Sequence, residues 1–222
     1  YALTGVGAFS VAYNLFGGGR RGAVLAGVMA LLFTVVLGNL GVVHLIRSKL
    51  IALGGEPFPS TIPGFPETVA MFKGLRAVLF HGAKIAVRPE SWYWHPTRII
   101  PADTGNPIAE FPAFTFLYAD LHAHMIAFPL TLLALALALY WARDSHPRWA
   151  SLLIGGLVIG ALRPTNTWDY PTYLVLGLAA LALNLRPSLS AIRSLLWRAA
   201  LLVGLTVLLY LPYIRHYAAG YK

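Results

Sequence analysis

The chain has 222 residues, of which 58% are hydrophobic and only 11% are charged, with a formal net charge of +9. Soluble domains carry about 25% charged residues, so the composition excludes a soluble enzyme and a disordered tail; the lack of cysteine excludes a disulfide scaffold. We predict an all-α, polytopic transmembrane helix bundle in a lipid bilayer. The basic excess then belongs to loops that face anionic head groups and not to a nucleic-acid surface, because no basic stripe alternates with aromatic residues.

Long apolar runs predict the membrane spans, since a bilayer core needs about 20 apolar residues in a helix. In chain order the runs are 1–16, 23–46, 121–142, 149–162, 170–185 and 195–214. We expect the first to be the tail of a truncated span and the chain to be the middle of a longer protein. A polar break with Pro164 and Pro171 separates the fourth and fifth runs, which fits either a re-entrant corner or two tilted helices.

Arginine in short loops predicts the orientation of the spans. The segments 17–21, 143–148 and 186–198 carry arginines and alternate with the spans, so we expect them on the cytoplasmic side. The long loop 47–120, the corner 163–169 and the end 215–222 then share the outer side.

The outer loop contains a predicted amphipathic helix over 67–87. Its apolar residues fall on one side at 100° per residue, and its basic residues fall opposite. The apolar set is Met71, Phe72, Leu75, Val78, Leu79 and Ile85, and the basic set is Lys73, Arg76 and Lys84. This pattern is typical of a helix that lies on a membrane surface.

Four ionisable residues precede or open the span at 121–142: Glu110, Asp120, His122 and His124. In a helix, Asp120 and His124 share a face and His122 points away; in an extended chain, all three of these side chains project to one side. Three interpretations stay open. Asp120 and His122 bind a divalent cation, for which a mixed oxygen and nitrogen set suits Mn, Zn or Fe; one of the groups is a general base; or Asp120 bonds a histidine and caps the helix.

A second polar group occupies the corner at 163–169. In one interpretation, Asn166 and Asp169 satisfy backbone groups that the broken helix frees. In the other, Arg163 binds a phosphate, Trp168 stacks on a sugar ring and Asp169 binds hydroxyl groups. Arg215 is a further outer-side cation that could pair with an anionic lipid-linked ligand.

Two segments carry a family resemblance. Residues 110–124 read Glu-Phe-Pro-Ala-Phe-Thr-Phe-Leu-Tyr-Ala-Asp-Leu-His-Ala-His, and residues 166–173 read Asn-Thr-Trp-Asp-Tyr-Pro-Thr-Tyr. Both resemble the patterns of the YYY membrane proteins of bacteria and archaea, the DUF2298 family. The chain departs from those patterns at Ala119, where glycine is usual, and at Ala123, where proline is usual.

The resemblance implies a GT-C-like multi-spanning glycosyltransferase (a hexosyltransferase) that uses polyprenyl-phosphate sugars at the outer face of a bacterial or archaeal plasma membrane. Asp120 and His122 also look like the second acidic motif of archaeal oligosaccharyltransferases, which implies an optional divalent cation, Mn or Mg. The resemblance therefore implies four candidate catalytic residues: Glu110, Asp120, His122 and His124. The alternative is a non-catalytic membrane subunit that scaffolds a larger complex with partner subunits.

Overall fold

The computed structural model describes residues 1–37, 41–56, 58–88, 91–92, 115–116, 119, 121–144, 146–183 and 188–217. Two compact units divide the chain. Tyr1–Val36 together with Asp120–Lys222 forms the first unit, and Leu37–Ala119 forms the second. Both units are helical, and no strand occurs among the described residues, so the predicted all-α class is confirmed.

The helices in chain order are α1 (Ala2–Leu15), α2 (Arg20–Leu31), α3 (Gly41–Leu53), α4 (Phe65–His81), α5 (Ala123–Arg143), α6 (Trp149–Thr165), α7 (Asp169–Ala182), α8 (Leu189–Leu208) and α9 (Leu211–His216). By length and composition, α5 and α8 can each cross a membrane. The segments Arg20–Val36 and Gly41–Leu53 pass the same test only as a pair.

The run 23–46, expected as one span, changes its helical form before it ends. After α2 the chain continues as a π-helical turn, Leu32–Val36, and Leu37 is not helical. Three consecutive β-branched residues, at 34–36, occupy this turn, and their stiff side chains fit the crowded α-helix less well than leucine or alanine do. The change in winding thus coincides with this β-branched segment.

Trp141 on α5 is at the centre of the core of the first unit. Its side chain is only 1% exposed, and a Cβ atom added to Gly155 on α6 or to Gly177 on α7 would crowd its ring. The indole Nε1 donates a hydrogen bond of 3.0 Å to Ser151 Oγ on α6. The two glycines therefore let α5, α6 and α7 meet around one large aromatic residue.

Gly156 and Gly160 allow a close approach of α6 to α8. A Cβ atom on Gly156 would collide with Leu205, and one on Gly160 would collide with Tyr210. The Tyr210 hydroxyl donates a 2.7 Å hydrogen bond to the carbonyl oxygen of Leu157. Since lipid chains are as apolar as leucine, close packing and such hydrogen bonds are what hold membrane helices together.

The run 195–214, also expected as one span, is divided between α8 and α9. The helix α8 ends at Leu208, a turn follows, and α9 begins with a proline in its first turn, Pro212. A proline has no N–H to donate to the carbonyl oxygen four residues earlier. The hydrogen bond from residue 212 that would continue α8 is therefore missing.

Arg143, the last residue of α5, ties α1 to this core. Its guanidinium donates hydrogen bonds to the carbonyl oxygens of Asn14 and Leu15, the second at 3.2 Å. These oxygens lie at the C-terminus of α1, where helical N–H groups are lacking and the helix dipole favours a cation. Several arginines lie at this end of the unit, which we call the arginine-rich end: Arg20, Arg21, Arg143, Arg148, Arg193 and Arg198.

In the second unit, α3 and α4 pack through small residues. A Cβ atom on Gly74 would lie 2.8 Å from the carbonyl carbon of Leu50 and closer still to its oxygen. Ala70 and Gly74 are buried in this contact, whereas Phe72 and Leu79 on another face of α4 are 59% and 64% exposed. A helix thus occupies most of the predicted range, and Phe72 and Leu79 lie on a face that is not buried against α3.

The C-terminus of α4 comes earlier than expected. We predicted a helix over 67–87, and α4 spans Phe65–His81. Gly82 follows with φ of 67°, and the N–H of Ala83 reaches back to the carbonyl oxygen of Ala77 at 3.1 Å. A glycine in the left-handed conformation, with such a bond around it, is a common helix stop.

Candidate functional site

The described site residues of the first unit lie toward one end of the bundle. The helices α5 and α6 form an antiparallel pair, in which Trp141 near the end of α5 contacts Ser151 near the start of α6. The corner between α6 and α7 therefore lies at the same end as the beginning of α5. His122, His124 and the corner 163–169 share this end, opposite the arginine-rich end.

Hydrogen bonds within the corner fix its shape. Asn166 Nδ2 donates to Asp169 Oδ2 at 2.9 Å, and the backbone N–H of Asp169 donates to the carbonyl oxygen of Asn166 at 3.0 Å. The hydroxyl of Thr167 donates to the carbonyl oxygen of Arg163 at 2.9 Å. Asp169 also occupies the first turn of α7, where the helix dipole favours a negative charge. The Asn166 amide and the Asp169 carboxylate thus orient each other within the corner.

Arg163 is a cation with few described partners. Its side chain is half-buried, and its ζ carbon lies 3.9 Å from the ring centroid of Tyr170. The Nε atom is buried and donates no hydrogen bond. Within the described ranges, no carboxylate forms an ion pair with this guanidinium. The arginine is therefore held by a cation–π contact, and its polar edge remains able to bind an anion.

Tyr170 has a partner of its own, which fixes the ring under Arg163. The Tyr170 hydroxyl lies 3.0 Å from Thr206 Oγ1 on α8. The Thr206 hydroxyl in turn donates a 2.8 Å hydrogen bond to the carbonyl oxygen of Val203. Thr206 is fully buried. A chain of contacts thus runs from α8 through Tyr170 to Arg163.

The other two predicted binding residues are exposed at the same end. Trp168 precedes α7 and is 86% exposed, although a large aromatic side chain usually gains most from burial. Arg215 is exposed in the last turn of the short helix α9, which follows α8. Both side chains are accessible to a ligand that approaches the corner.

His122 and His124 lie side by side. His122 has an extended backbone at the N-cap of α5, with φ of −66° and ψ of 151°, and His124 is in the first turn. Their ring centroids are 5.5 Å apart with an angle of 27° between the planes, and His124 also contacts Phe128 edge-on at 5.8 Å. The two imidazoles thus lie on the same side of the chain, as expected for an extended segment and not for a helical one, in which His122 would point away from His124.

The remaining candidates of this group, Glu110 and Asp120, lie outside the described residues. Among the residues that the structure describes, no three histidine, aspartate or glutamate side chains come together as a metal site would require. Asp120 and His122 as cation ligands stay a prediction.

Comparison with known proteins gives the chain a family. All of it, residues 1–222, matches the family described as uncharacterized membrane protein (DUF2298). The chain belongs to the DUF2298 family. No match was found among curated proteins or among solved structures. The resemblance to the DUF2298 family is confirmed, and with two helices able to cross a bilayer this chain is a helical membrane protein.

One departure of this DUF2298 chain from the family pattern has a structural counterpart. Ala119 adopts φ of 56° and is, among the described residues, the one non-glycine residue with positive φ. A left-handed backbone costs an L-residue with a Cβ atom roughly 1–2 kcal/mol. A glycine at this position would avoid that strain.

The sequence analysis missed two residues that build the corner, Tyr170 and Thr206. Tyr170 was inside the segment 166–173 that carried the family resemblance, and that membership was the available signal. Thr206 is a lone hydroxyl in an apolar run, a pattern that also occurs where threonine bonds only its own helix. Only the packing of α7 against α8 shows that its hydroxyl meets Tyr170.

Proposed function

We propose that this DUF2298 protein is a membrane glycosyltransferase that uses a polyprenyl-phosphate-linked sugar at the outer membrane face. One observation carries the proposal: Arg163, half-buried on the ring of Tyr170, has a buried Nε–H group without a described acceptor. The GT-C-like resemblance supports the same chemistry, because those transferases use such donors.

A phosphate group suits Arg163 well. A buried N–H that lacks an acceptor costs about 1–3 kcal/mol, and a phosphate presents several strong acceptor oxygens. The planar guanidinium can donate two parallel hydrogen bonds to such a group. Because Tyr170 holds the flat face of the guanidinium at 3.9 Å, the edge is oriented before the ligand arrives.

The sugar would lie on the exposed side of the corner. Trp168, at 86% exposure, offers an aromatic face to the apolar face of a sugar ring. Asp169 keeps its second carboxylate oxygen, Oδ1, for sugar hydroxyl groups, while Asn166 holds Oδ2 at 2.9 Å. An oriented carboxylate and an aromatic face together offer a carbohydrate both a hydrogen-bond acceptor and an apolar contact.

Position in the membrane supports a lipid-linked donor. The corner is at the end of the bundle opposite the arginine-rich end, and the positive-inside rule assigns arginine-rich loops to the cytoplasmic side. The donor phosphate would therefore sit at the outer boundary of a plasma membrane. Its polyprenyl chain would remain in the bilayer and enter sideways between helices. Phe72 and Leu79 on α4, both exposed, would contact the membrane surface.

The transfer step breaks the bond between the sugar C1 and the phosphate oxygen, and it forms a bond between an acceptor oxygen and C1. The proton of the acceptor hydroxyl passes to a base, and polyprenyl phosphate leaves with the electron pair of the broken bond. Asp120, His122, His124 and Glu110 are the candidate bases. Arg163 and Arg215 would stabilise the charge on the leaving phosphate, and no step requires the optional Mn or Mg ion.

The test compares Arg163→Gln with wild type in nanodiscs of phosphatidylcholine. The probes are polyprenyl-phosphate mannose and polyprenyl-phosphate glucose. A hydrogen bond to a charged group contributes about 1.5–3 kcal/mol, so loss of Arg163 should weaken donor binding roughly 10- to 150-fold. Arg148→Gln, at the arginine-rich end, is the matched control and should bind the donors as wild type does.

Thermal unfolding of each variant shows whether it is folded. Donor binding by folded Arg163→Gln that equals wild type for both probes would remove the phosphate role from Arg163 and refute the proposal. Equal weakening in Arg163→Gln and Arg148→Gln would refute it too, because a general effect of positive charge would then explain the binding.

A further inference from the structure

We propose that a groove between α1 and α5, at the arginine-rich end, binds an anionic phospholipid. The groove has a volume of about 260 Å³ and is partly open to the outside. It lies at the opposite end of the first unit from the corner 163–169, so the inference does not depend on the proposed transferase activity.

The groove combines an apolar wall with a polar mouth. Val11 on α1 and Ala136 and Leu139 on α5 form the apolar wall, to which Ser10 and Tyr140 add hydroxyl groups, and the exposed residues Asn14 and Arg143 are at the mouth. An amphiphile with a charged head and an apolar body fits such a surface. The wall belongs to the apolar part of α5, which is long enough to cross a bilayer, so acyl chains would continue from it into the membrane.

Arg143 supplies the charge that selects an anionic head group. A guanidinium has five N–H donors, and the bonds to Asn14 and Leu15 employ one on each terminal nitrogen. Those two bonds hold the side chain at the mouth of the groove. The remaining donors can reach phosphate oxygens.

Asp144, the residue after Arg143, is bonded to Tyr140, which also lines the groove. Asp144 Oδ2 accepts a 2.9 Å hydrogen bond from the Tyr140 hydroxyl, and Oδ1 accepts one of 2.9 Å from the backbone N–H of His146. Within the described part of the chain, no carboxylate forms an ion pair with Arg143. Arg20 and Arg21 at the same end add to the positive potential, and basic pockets between membrane helices are known sites for anionic lipid head groups.

The experiment measures lipid retention by native mass spectrometry of the purified chain, with phosphatidylglycerol and phosphatidylcholine of equal acyl length. We expect wild type to retain phosphatidylglycerol preferentially. Arg143→Gln should lower that preference roughly 10-fold or more, since a charged hydrogen bond contributes about 1.5–3 kcal/mol. Arg148→Gln removes an arginine from the same end without touching the groove, and it should keep the preference.

A second variant keeps the test informative if Arg143→Gln loosens α1. Ala136→Leu fills the apolar wall and leaves every charge in place, and it should also reduce phosphatidylglycerol retention. Unchanged retention in Arg143→Gln or in Ala136→Leu would overturn the proposal, as would an equal loss in Arg148→Gln. Displacement of the lipid by inorganic phosphate alone would also overturn it, because the groove would then be a simple anion site.

Discussion

Gly74→Ala is expected to separate α3 from α4. The added Cβ atom would lie 2.8 Å from the carbonyl carbon of Leu50 and closer still to its oxygen, well inside the ordinary carbon–carbon contact of about 3.5–4.0 Å. The obstacle is backbone, so the helices themselves must move apart. Overpacking typically costs about 1–3 kcal/mol, and the still closer carbonyl oxygen of Leu50 puts this case in the upper part of that range, about 2–3 kcal/mol. The better helix propensity of alanine returns about 1 kcal/mol. We expect a net local destabilisation of about 1–2 kcal/mol.

Gly204→Ala is the matched control for this prediction. Gly204 is a helical glycine of α8, and no neighbouring atom lies within 4 Å of a Cβ atom built there. The same substitution should therefore stabilise α8 by up to about 1 kcal/mol. The two substitutions are chemically identical, so the opposite signs of their expected effects on stability follow from the surroundings of the two glycines.

Hydrogen exchange followed by mass spectrometry, in detergent micelles, measures both effects. In Gly74→Ala the peptides of α3 and α4 should exchange roughly 5–30 times faster, which corresponds to 1–2 kcal/mol. In Gly204→Ala the peptides of α8 should exchange more slowly or at an unchanged rate. Unchanged protection of α3 and α4 in Gly74→Ala would refute the close approach of the two helices.

Two further predictions concern the chain on either side of α5. Ala119→Gly should raise the free energy of unfolding by about 0.5–1 kcal/mol, because the relief of left-handed strain exceeds the cost of the greater chain entropy of glycine in the unfolded state. The control Ala127→Gly, inside α5, should lower the free energy of unfolding. A lower unfolding midpoint for Ala119→Gly than for wild type would contradict this reasoning. The hydrogen bond from the His146 N–H, and next that from Tyr140, hold the pKa of the Asp144 carboxyl below its usual 3.8. The ionised carboxylate therefore stabilises the folded state at pH values above 3.8, and this stabilisation is lost as the pH falls from 3.8 through the lower pKa of the folded state. Pepsin should therefore cleave the α5–α6 connection faster in wild type as the pH falls below 3.8, relative to Asp144→Asn, and parallel pH profiles for the two would contradict the assignment.

Apolar patterning predicted where helices occur, because helix formation follows from local composition, whereas the crossing of the membrane by α6 and α7 stays a prediction. The predicted run 149–162 corresponds to α6, Trp149–Thr165, and the run 170–185 to α7, Asp169–Ala182. Hydropathy alone did not give the interruptions inside apolar runs. The turn before Pro212 and the stop at Gly82 depend on single backbone groups, which contribute little to an average over 20 residues.

The candidate site was predictable as a set of residues but not as an arrangement. Sequence patterns selected Arg163, Asn166 and Asp169, and the structure joins Asn166 to Asp169. The cation–π contact of Arg163 with Tyr170, and the bond from Tyr170 to Thr206, depend on the packing of α7 against α8. Such contacts arise between segments far apart in the chain, where periodicity carries no information.

The surroundings of Trp141 restrict which parts of the protein can rearrange during a functional cycle. Sliding α5 along α6 by one turn, about 5.4 Å, would break the bond to Ser151 and push the indole into neighbouring side chains. We therefore expect the helices α5, α6 and α7 to move together as one rigid body. A conformational change in the first unit is therefore expected to move other helices around these three.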